Sequence, residues 1–321
     1  MVVYNNAGRP ASEMSPAPMH RRSFMLSSLA TAGSLLPGMA AAVPAPPAKG
    51  WGYDSYLAAM KACDRPTTLT REQFDVVRGR RRGALATIES VLKAHFGEAD
   101  PNVLRAFDEV PREFYHYDFA ARSAFATVAY EQTSKPWRIG FGSALSDYRG
   151  QAYMTQLCKP TADSVALEVG TGSGFQISVL SRIVKKACSI EIVEPLGKEV
   201  GRIFAPLGYD NVQTRIGDGF FGWPEETGGF DLIMVTCAAQ FVPPPLLAQL
   251  KPGGRMVIPM GQPFKREQFL YVFTKDEDGK VHSRKDVGVY FVPMTGKMMA
   301  DKKPAAADKP ATGGEKPSAP Q

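Results

Sequence analysis

The chain has 321 residues, with 38 basic and 32 acidic side chains, a formal charge of +6 and a pI near 9.0. Hydrophobic residues make up 44% and charged residues 22%, which excludes a mostly disordered chain, a collagen-like repeat and a multi-span membrane protein. A basic balance raises nucleic acids and anionic membranes as partners, so the position of the charge matters.

Residues 1–50 hold no segment patterned for a folded element. Arg21 and Arg22 precede an apolar, small-residue run from Met25 to Leu36; Pro37 and Gly38 break it, and Ala40, Ala41 and Ala42 follow. That is the order of a secretory signal, and the paired arginines point to twin-arginine export. The run is about 12 residues, short of the roughly 20 that span a bilayer, so no stable membrane anchor is expected. The expected location is periplasmic or otherwise exported, and cytoplasmic should the signal go unused. Met1 to Pro18 reads as a polar extension, with Met19 a candidate start; signal and extension together cover residues 1–42. Residues 43–50 (VPAPPAKG) form a Pro/Ala linker.

From Tyr53 to Phe119 the pattern is largely helical, with apolar stripes at Tyr56, Leu57 and Met60 and at Leu85, Ile88, Val91 and Leu92. Arg78 and Arg80 to Arg82 form a basic cluster without interleaved aromatics, read as the solvated face of a helix rather than a nucleic-acid contact. Ser143 to Cys158 looks like a loop running into a short helix. Residues 51–159 are thus a helical N-terminal region with a loop before the domain that follows.

After Pro160 the texture changes. Short apolar runs at 164–170, 187–193, 212–218, 230–237 and 253–260 are separated by segments mostly long enough for helices, which implies a parallel sheet covered on both faces. QFLYVFTKD and VGVYFVPMTG flank a DEDGK turn and read as antiparallel edge strands. Residues 160–296 are therefore expected to form a doubly wound α/β domain, and such sheets bind ligands at the carboxyl ends of their strands. Residues 297–321, rich in Lys, Pro and Ala, are expected to be a disordered tail. Cys63, Cys158, Cys188 and Cys237 form no CxxC pair, and no metal site is expected.

The stretch VALEVGTGSGF carries the chemistry. A buried strand runs into Gly170, Thr171, Gly172 and Gly174, where glycines permit a tight turn and close approach of a ligand. Glu168 precedes the turn, at a place that favours an amino-bearing ligand over a pyrophosphate. Glu191, near the end of the second strand, can accept from both hydroxyls of a ribose. Gly217, Asp218 and Gly219 end the third, where Asp218 can accept from an adenine amino group. An amino acid, a ribose and an adenine without phosphates make S-adenosyl-L-methionine.

LEVGTGSGFQ, SIEIV, GYDNVQTRIGDGFFGWPE, FDLIMVTCAA, PPPLLAQLKPGGRMVIPMG and VYFVPMTG occur in order with close spacing, and from about Asn102 to Gly296 the chain resembles the protein-L-isoaspartate O-methyltransferase family. The resemblance implies a mostly parallel, Rossmann-like methyltransferase sheet with antiparallel C-terminal edge strands and a helical N-terminal extension. It places Glu168, Gly170, Gly172, Glu191 and Asp218 around S-adenosyl-L-methionine. It implies isoaspartyl peptides or proteins as acceptors, in protein repair, and it aligns Ser146, within IGFGSALSDYR, with the family's active-site serine. The alternative role for Ser146 is to cap the helix that follows. Where the family usually has Gln, Thr, Gln and Pro, this chain has Ser143, Ala144, Asp147 and Tyr148, and Asp147 is expected to bring negative charge beside an anionic acceptor. The runners-up are an O-methyltransferase with a different acceptor and a non-catalytic protein binding the cofactor or a peptide. A monomer is expected.

The charge can now be placed. Residues 1–42 hold three basic and one acidic residue and 297–321 hold five and three, leaving 30 and 28 for 43–296. The folded part is nearly neutral, so no nucleic-acid partner is expected.

Overall fold

The computed structural model describes residues 51–133, 135–265 and 267–300. The expected signal, the linker and residues 301–321 of the expected tail lie outside the described residues.

The N-terminal region opens with α1 (Tyr53–Ala62) and the long α2 (Arg71–Phe96). Thr70 and Gln73 form a reciprocal capping box at the start of α2, and Gly97, at φ 80°, ends it in the left-handed conformation that glycine takes without cost. α3 (Pro101–Glu109) starts on Pro101 with Asp100 as cap, and a helical turn, α4 (Arg112–Tyr115), follows. Two small antiparallel pairs come next: β1 (Tyr117–Asp118) with β2 (Ser123–Ala124), and β3 (Trp137–Gly140) with β4 (Ser143–Leu145). The second hairpin occupies much of the stretch expected to be loop, and it leads into α5 (Tyr148–Cys158).

The sheet is built from β5 (Val165–Val169), β6 (Lys186–Glu191), β7 (Val212–Ile216), β8 (Phe230–Val235), β9 (Leu250–Met260), β10 (Gln268–Lys275) and β11 (Val281–Val289). Helices α6 (Phe175–Ser181), α7 (Glu194–Gly201) and α8 (Pro244–Gln249) connect its parallel strands. The order is β11-β10-β9-β8-β5-β6-β7, parallel from β9 to β7, with β10 and β11 antiparallel. The chain runs outward from β5 to β7 and returns to place β8 beside β5, which makes the β5–β8 border the switch point of the sheet.

Two boundaries differ from the sequence reading. The last strand is Val281–Val289, not residues 287–296: after Val289 the chain leaves the sheet edge and returns across the strand ends, where Pro293 bridges Ala238. The expected tail begins with α9 (Lys297–Ala300), whose Met298 is buried in the core. The Lys, Pro and Ala around it hide that single apolar anchor in a composition window.

Successive residues of each strand alternate between two cores. Ala166, Ala187, Leu232, Met234 and Val257 join a cluster with Tyr56, Val77, Ile88, Phe107 and Phe114 of the N-terminal helices. Leu167, Val169, Cys188, Ile190, Ile233 and Val235 face the other side with Leu246, Met294 and Met298. Residues 51–159 therefore share one core with a face of the sheet.

Glu113 fastens this extension. Its buried carboxylate accepts from Trp51 Nε1 at 2.9 Å, Arg78 Nη1 at 3.1 Å and Tyr130 Oη at 2.7 Å. Arg81 pairs with Asp108 at 2.6 Å and Arg80 donates to the carbonyl of Thr127 at 2.8 Å. Three of the four arginines read as a solvated face are thus ties within the protein. Glu113→Ala strands three donors at once and is expected to cost about 3 kcal/mol, read as a lower midpoint in urea unfolding.

Candidate active site

A cavity of about 400 Å³ opens at the carboxyl ends of β5, β6, β7 and β8, within the size range of small-molecule sites. Its floor is the turn after β5. Gly170 sits at φ +101°, and a Cβ there would lie 2.5 Å from Thr236 Oγ1. That hydroxyl donates to the carbonyls of Val169 and Gly170, at 2.9 and 2.8 Å, and so clamps the end of β5 to the end of β8. Gly172 (φ +54°) also needs the left-handed region.

Of the nine residues singled out in the sequence, Ser146, Glu168, Gly170, Thr171, Gly172, Glu191, Asp218 and Gly219 line this one cavity. Gly174 does not. At φ +85° it caps α6, and a Cβ there would meet Ile203 and Val200 at 3.0 Å. It is glycine because α7 and the segment after it pack against it, not because a ligand does.

Glu168 is fully buried. Thr171 Oγ1 donates to Ser189 Oγ (2.7 Å), which donates to Glu168 Oε2 (2.6 Å), while Oε1 has no hydrogen-bond partner. Burial pushes this carboxyl well above the usual range; the Ser189 bond opposes that and Glu191 adds to it. Glu191 accepts from the backbone N–H of Gly172 at 2.9 Å and of Val193 at 3.0 Å, and burial raises it too, against these bonds. Asp218 accepts from Phe220 N at 2.9 Å and Lys297 N at 2.7 Å. Both acids thus shape the backbone around the cavity, and each oxygen keeps a second lone pair for a ligand.

Strand β4 and the residue after it bring Ser143, Ala144 and Ser146 into the lining. Asp147, not Ser146, caps α5: its Oδ1 accepts from Gly150 N at 2.9 Å. The expected negative charge therefore sits one residue from Ser146 and behind the cavity wall, not in the lining. Asp147 is buried against the start of α5, with Arg149 Nε 3.8 Å away, and is not among the cavity-lining residues. Ser146 lines the cavity relieved of any capping role.

Sequence reasoning missed several lining residues. Gln151 and Met154 come from α5 and Gln176 from α6, whereas Thr236 and Cys237 directly follow β8 and Phe291 to Thr295 form the returning segment. Thr236 and Cys237 lie within the run 230–237 predicted as strand, but nothing in that run marks them as lining a site. Exposed Phe141 and Phe264 stand in the lining with left-handed backbones, φ +51° and +59°. Among the described residues that line the cavity, none is Lys, Arg or His.

A switch-point cavity with a glycine turn, three strand-end acids and no basic lining defines a class I S-adenosyl-L-methionine-dependent methyltransferase. The orphaned Glu168 oxygen suits an ammonium, and the absence of basic lining disfavours a phosphate-bearing cofactor. The family model for protein-L-isoaspartate(D-aspartate) O-methyltransferase matches residues 86–299. A Nitrosospira multiformis protein-L-isoaspartate O-methyltransferase 1 is 53% identical over 161 residues, 50% of this chain and 67% of that protein. A Syntrophobacter fumaroxidans protein-L-isoaspartate O-methyltransferase 2 is 43% identical over 238 residues, 74% and 91%. A solved protein-L-isoaspartate O-methyltransferase superposes with a TM-score of 0.56 at 24% identity, covering 68% of this chain and 67% of its own. A Plasmodium falciparum structure described as the same enzyme, in complex with S-adenosyl-L-homocysteine, gives 0.52 at 21% identity, covering 65% and 97%; these two likenesses speak for the fold. The chain belongs to the protein-L-isoaspartate(D-aspartate) O-methyltransferase family, and it is a methyltransferase.

The raised Glu168 sets a pH dependence. A carboxyl whose folded pKa lies above its ordinary value near 4.5 contributes stability below that pH and loses it as pH rises through the folded pKa. Without ligand, Glu168→Gln is therefore expected to melt higher than the parent at pH 7.5, with the two curves converging towards pH 4.5. A gap that persists unchanged at low pH would show that Glu168 is not held protonated by the fold.

Proposed function

We propose that the protein transfers the methyl group of S-adenosyl-L-methionine to the free carboxylate of L-isoaspartyl residues in damaged proteins. The observation that carries this reading is the division of roles at the start of α5. Asp147 takes the cap, and the neighbouring Ser146 is left in the lining of the same cavity as the glycine turn. A hydroxyl placed there can orient an acceptor carboxylate.

When bound, the cofactor supplies a methyl group on a positively charged sulfur. Glu168 would hold its ammonium, Glu191 the ribose hydroxyls and Asp218 the adenine edge. An isoaspartyl carboxyl has an ordinary pKa of about 3.9 and is anionic at neutral pH, so no residue need remove a proton. The protein's work is alignment, which can supply up to roughly 7–11 kcal/mol of the barrier. The exposed rim at Phe141, Phe264 and Val292 offers apolar contact to the chain on either side of the acceptor.

A second reading keeps the methyl donor and changes the acceptor. Ser143 and Ala144 favour it, because these small residues stand in the lining where the family usually has Gln and Thr. Labelled methyl transfer separates the two. An isoaspartyl peptide is expected to gain label well above its aspartyl twin, and Ser146→Ala to lower kcat/KM roughly 100-fold with unchanged affinity for S-adenosyl-L-homocysteine. Equal labelling of the two peptides would reject the first reading.

The reading extends to export by the twin-arginine route, supported by Arg21, Arg22 and the run from Met25 to Leu36. Fractionation of cells expressing the full chain is expected to find it outside the cytoplasm, and Arg21→Lys with Arg22→Lys to retain it inside. Cytoplasmic retention of both forms would refute export.

A further inference from the structure

The cavity poses an electrostatic problem for an anionic acceptor. Its lining holds Glu168, Glu191 and Asp218 and, among the described residues, no basic side chain. A buried basic group lies one layer behind the acceptor side of the lining, bonded to two of its residues. Arg112, from α4, is 2% exposed, and its guanidinium forks between two residues of the acceptor wall. Nη2 donates to the carbonyl of Ser146 at 2.6 Å and Nη1 to Gln151 Oε1 at 2.7 Å. The plane is packed between Phe175, 4.8 Å from the ring centre, and Tyr148 at 5.7 Å. The backbone N–H of Arg112 donates to Tyr130 Oη, which in turn donates to Glu113. The fork is therefore fixed from behind by the same acid that fastens the N-terminal helices.

We propose that Arg112 is the positioning residue for the acceptor carboxylate: it holds Ser146 and Gln151 in register and supplies the positive charge that the lining lacks. Two features of the surroundings support this. Burial lowers the guanidinium only to about 10, with Asp147 acting in the other direction, so it stays cationic at neutral pH. Asp147 itself faces two guanidiniums, those of Arg112 and Arg149, so the segment around Ser146 keeps a net positive character. A planar fork is also what two acceptors at fixed separation demand, and an ammonium does not reproduce it.

The inference rests on the isoaspartyl reading, and the experiment separates the two. Steady-state kinetics on an isoaspartyl peptide would compare the parent with Arg112→Lys, Arg112→Met and Gln151→Glu. Calorimetry with S-adenosyl-L-homocysteine and thermal melting accompany each. Gln151→Glu keeps an acceptor for Arg112 while cancelling its charge at the wall, so it tests the field should Arg112→Met fail to fold. Losing charge-assisted bonds of this kind is expected to raise KM for the peptide roughly 30-fold in Arg112→Met and about 10-fold in Gln151→Glu. Arg112→Lys is expected to fall between Arg112→Met and the parent. In all three, kcat should change less than KM and cofactor-product affinity should hold within about twofold. KM within twofold of the parent in a folded Arg112→Met, or in Gln151→Glu, would overturn the proposal. So would a parallel loss of S-adenosyl-L-homocysteine affinity, which would make Arg112 a general support of the fold. Absence of methyl transfer by the parent would instead reject the isoaspartyl reading itself.

Discussion

The close approach of two strand ends governs this molecule. Where β5 turns and β8 stops, no side chain fits at Gly170, and the Thr236 hydroxyl fills the space by binding two carbonyls of the turn. Everything in the cofactor half of the cavity follows from that contact. The turn presents the Gly172 amide to Glu191 and sets Thr171 over Ser189, which in turn holds Glu168. Gly174 lets α6 begin directly beneath, against Val200 and Ile203. Three glycines in five residues thus serve two purposes, backbone approach at the first two and helix packing at the third.

The two halves of the cavity are built by different means. The cofactor half consists of strand ends and their turns, fixed by the ladder of the sheet. The acceptor half hangs from the N-terminal extension through Arg112, Ser146 and Gln151, and the extension is held by Glu113. This arrangement puts carboxylates on the side that would meet a cationic cofactor and keeps a buried guanidinium behind the side that would meet an anion. Like charge at a binding wall weakens ligand binding, and a charge one layer back acts through a less screened medium than one at the surface.

The sheet and its glycine turn were legible in the sequence because their signals are local: apolar runs of strand length, and glycines with strand-end acids beside them. Seven of the residues so singled out meet in one cavity, together with Ser146, to which the family resemblance pointed. What was hidden depends on contacts distant in the chain. Arg112 lies 34 residues before Ser146 and 39 before Gln151, with no periodicity linking them. The returning segment 291–295 reads as strand from its residue types, yet it departs from the sheet to wall the cavity. Asp147 read as a charge in the acceptor site because it departs from the family pattern beside Ser146; only the structure shows that it takes the helix cap and is buried behind the wall. Met298 was lost in a polar window for the opposite reason: one buried side chain outweighs the composition around it.

The most direct measurement of the account is a crystal structure of the protein with S-adenosyl-L-homocysteine and an isoaspartyl peptide. The account predicts the amino acid end of the cofactor product at Glu168, its adenine near Asp218, and the peptide carboxylate on Ser146 with Arg112 still bound to the Ser146 carbonyl. A peptide carboxylate seated away from Ser146, or an adenine bound outside the ends of β6 and β7, would contradict it.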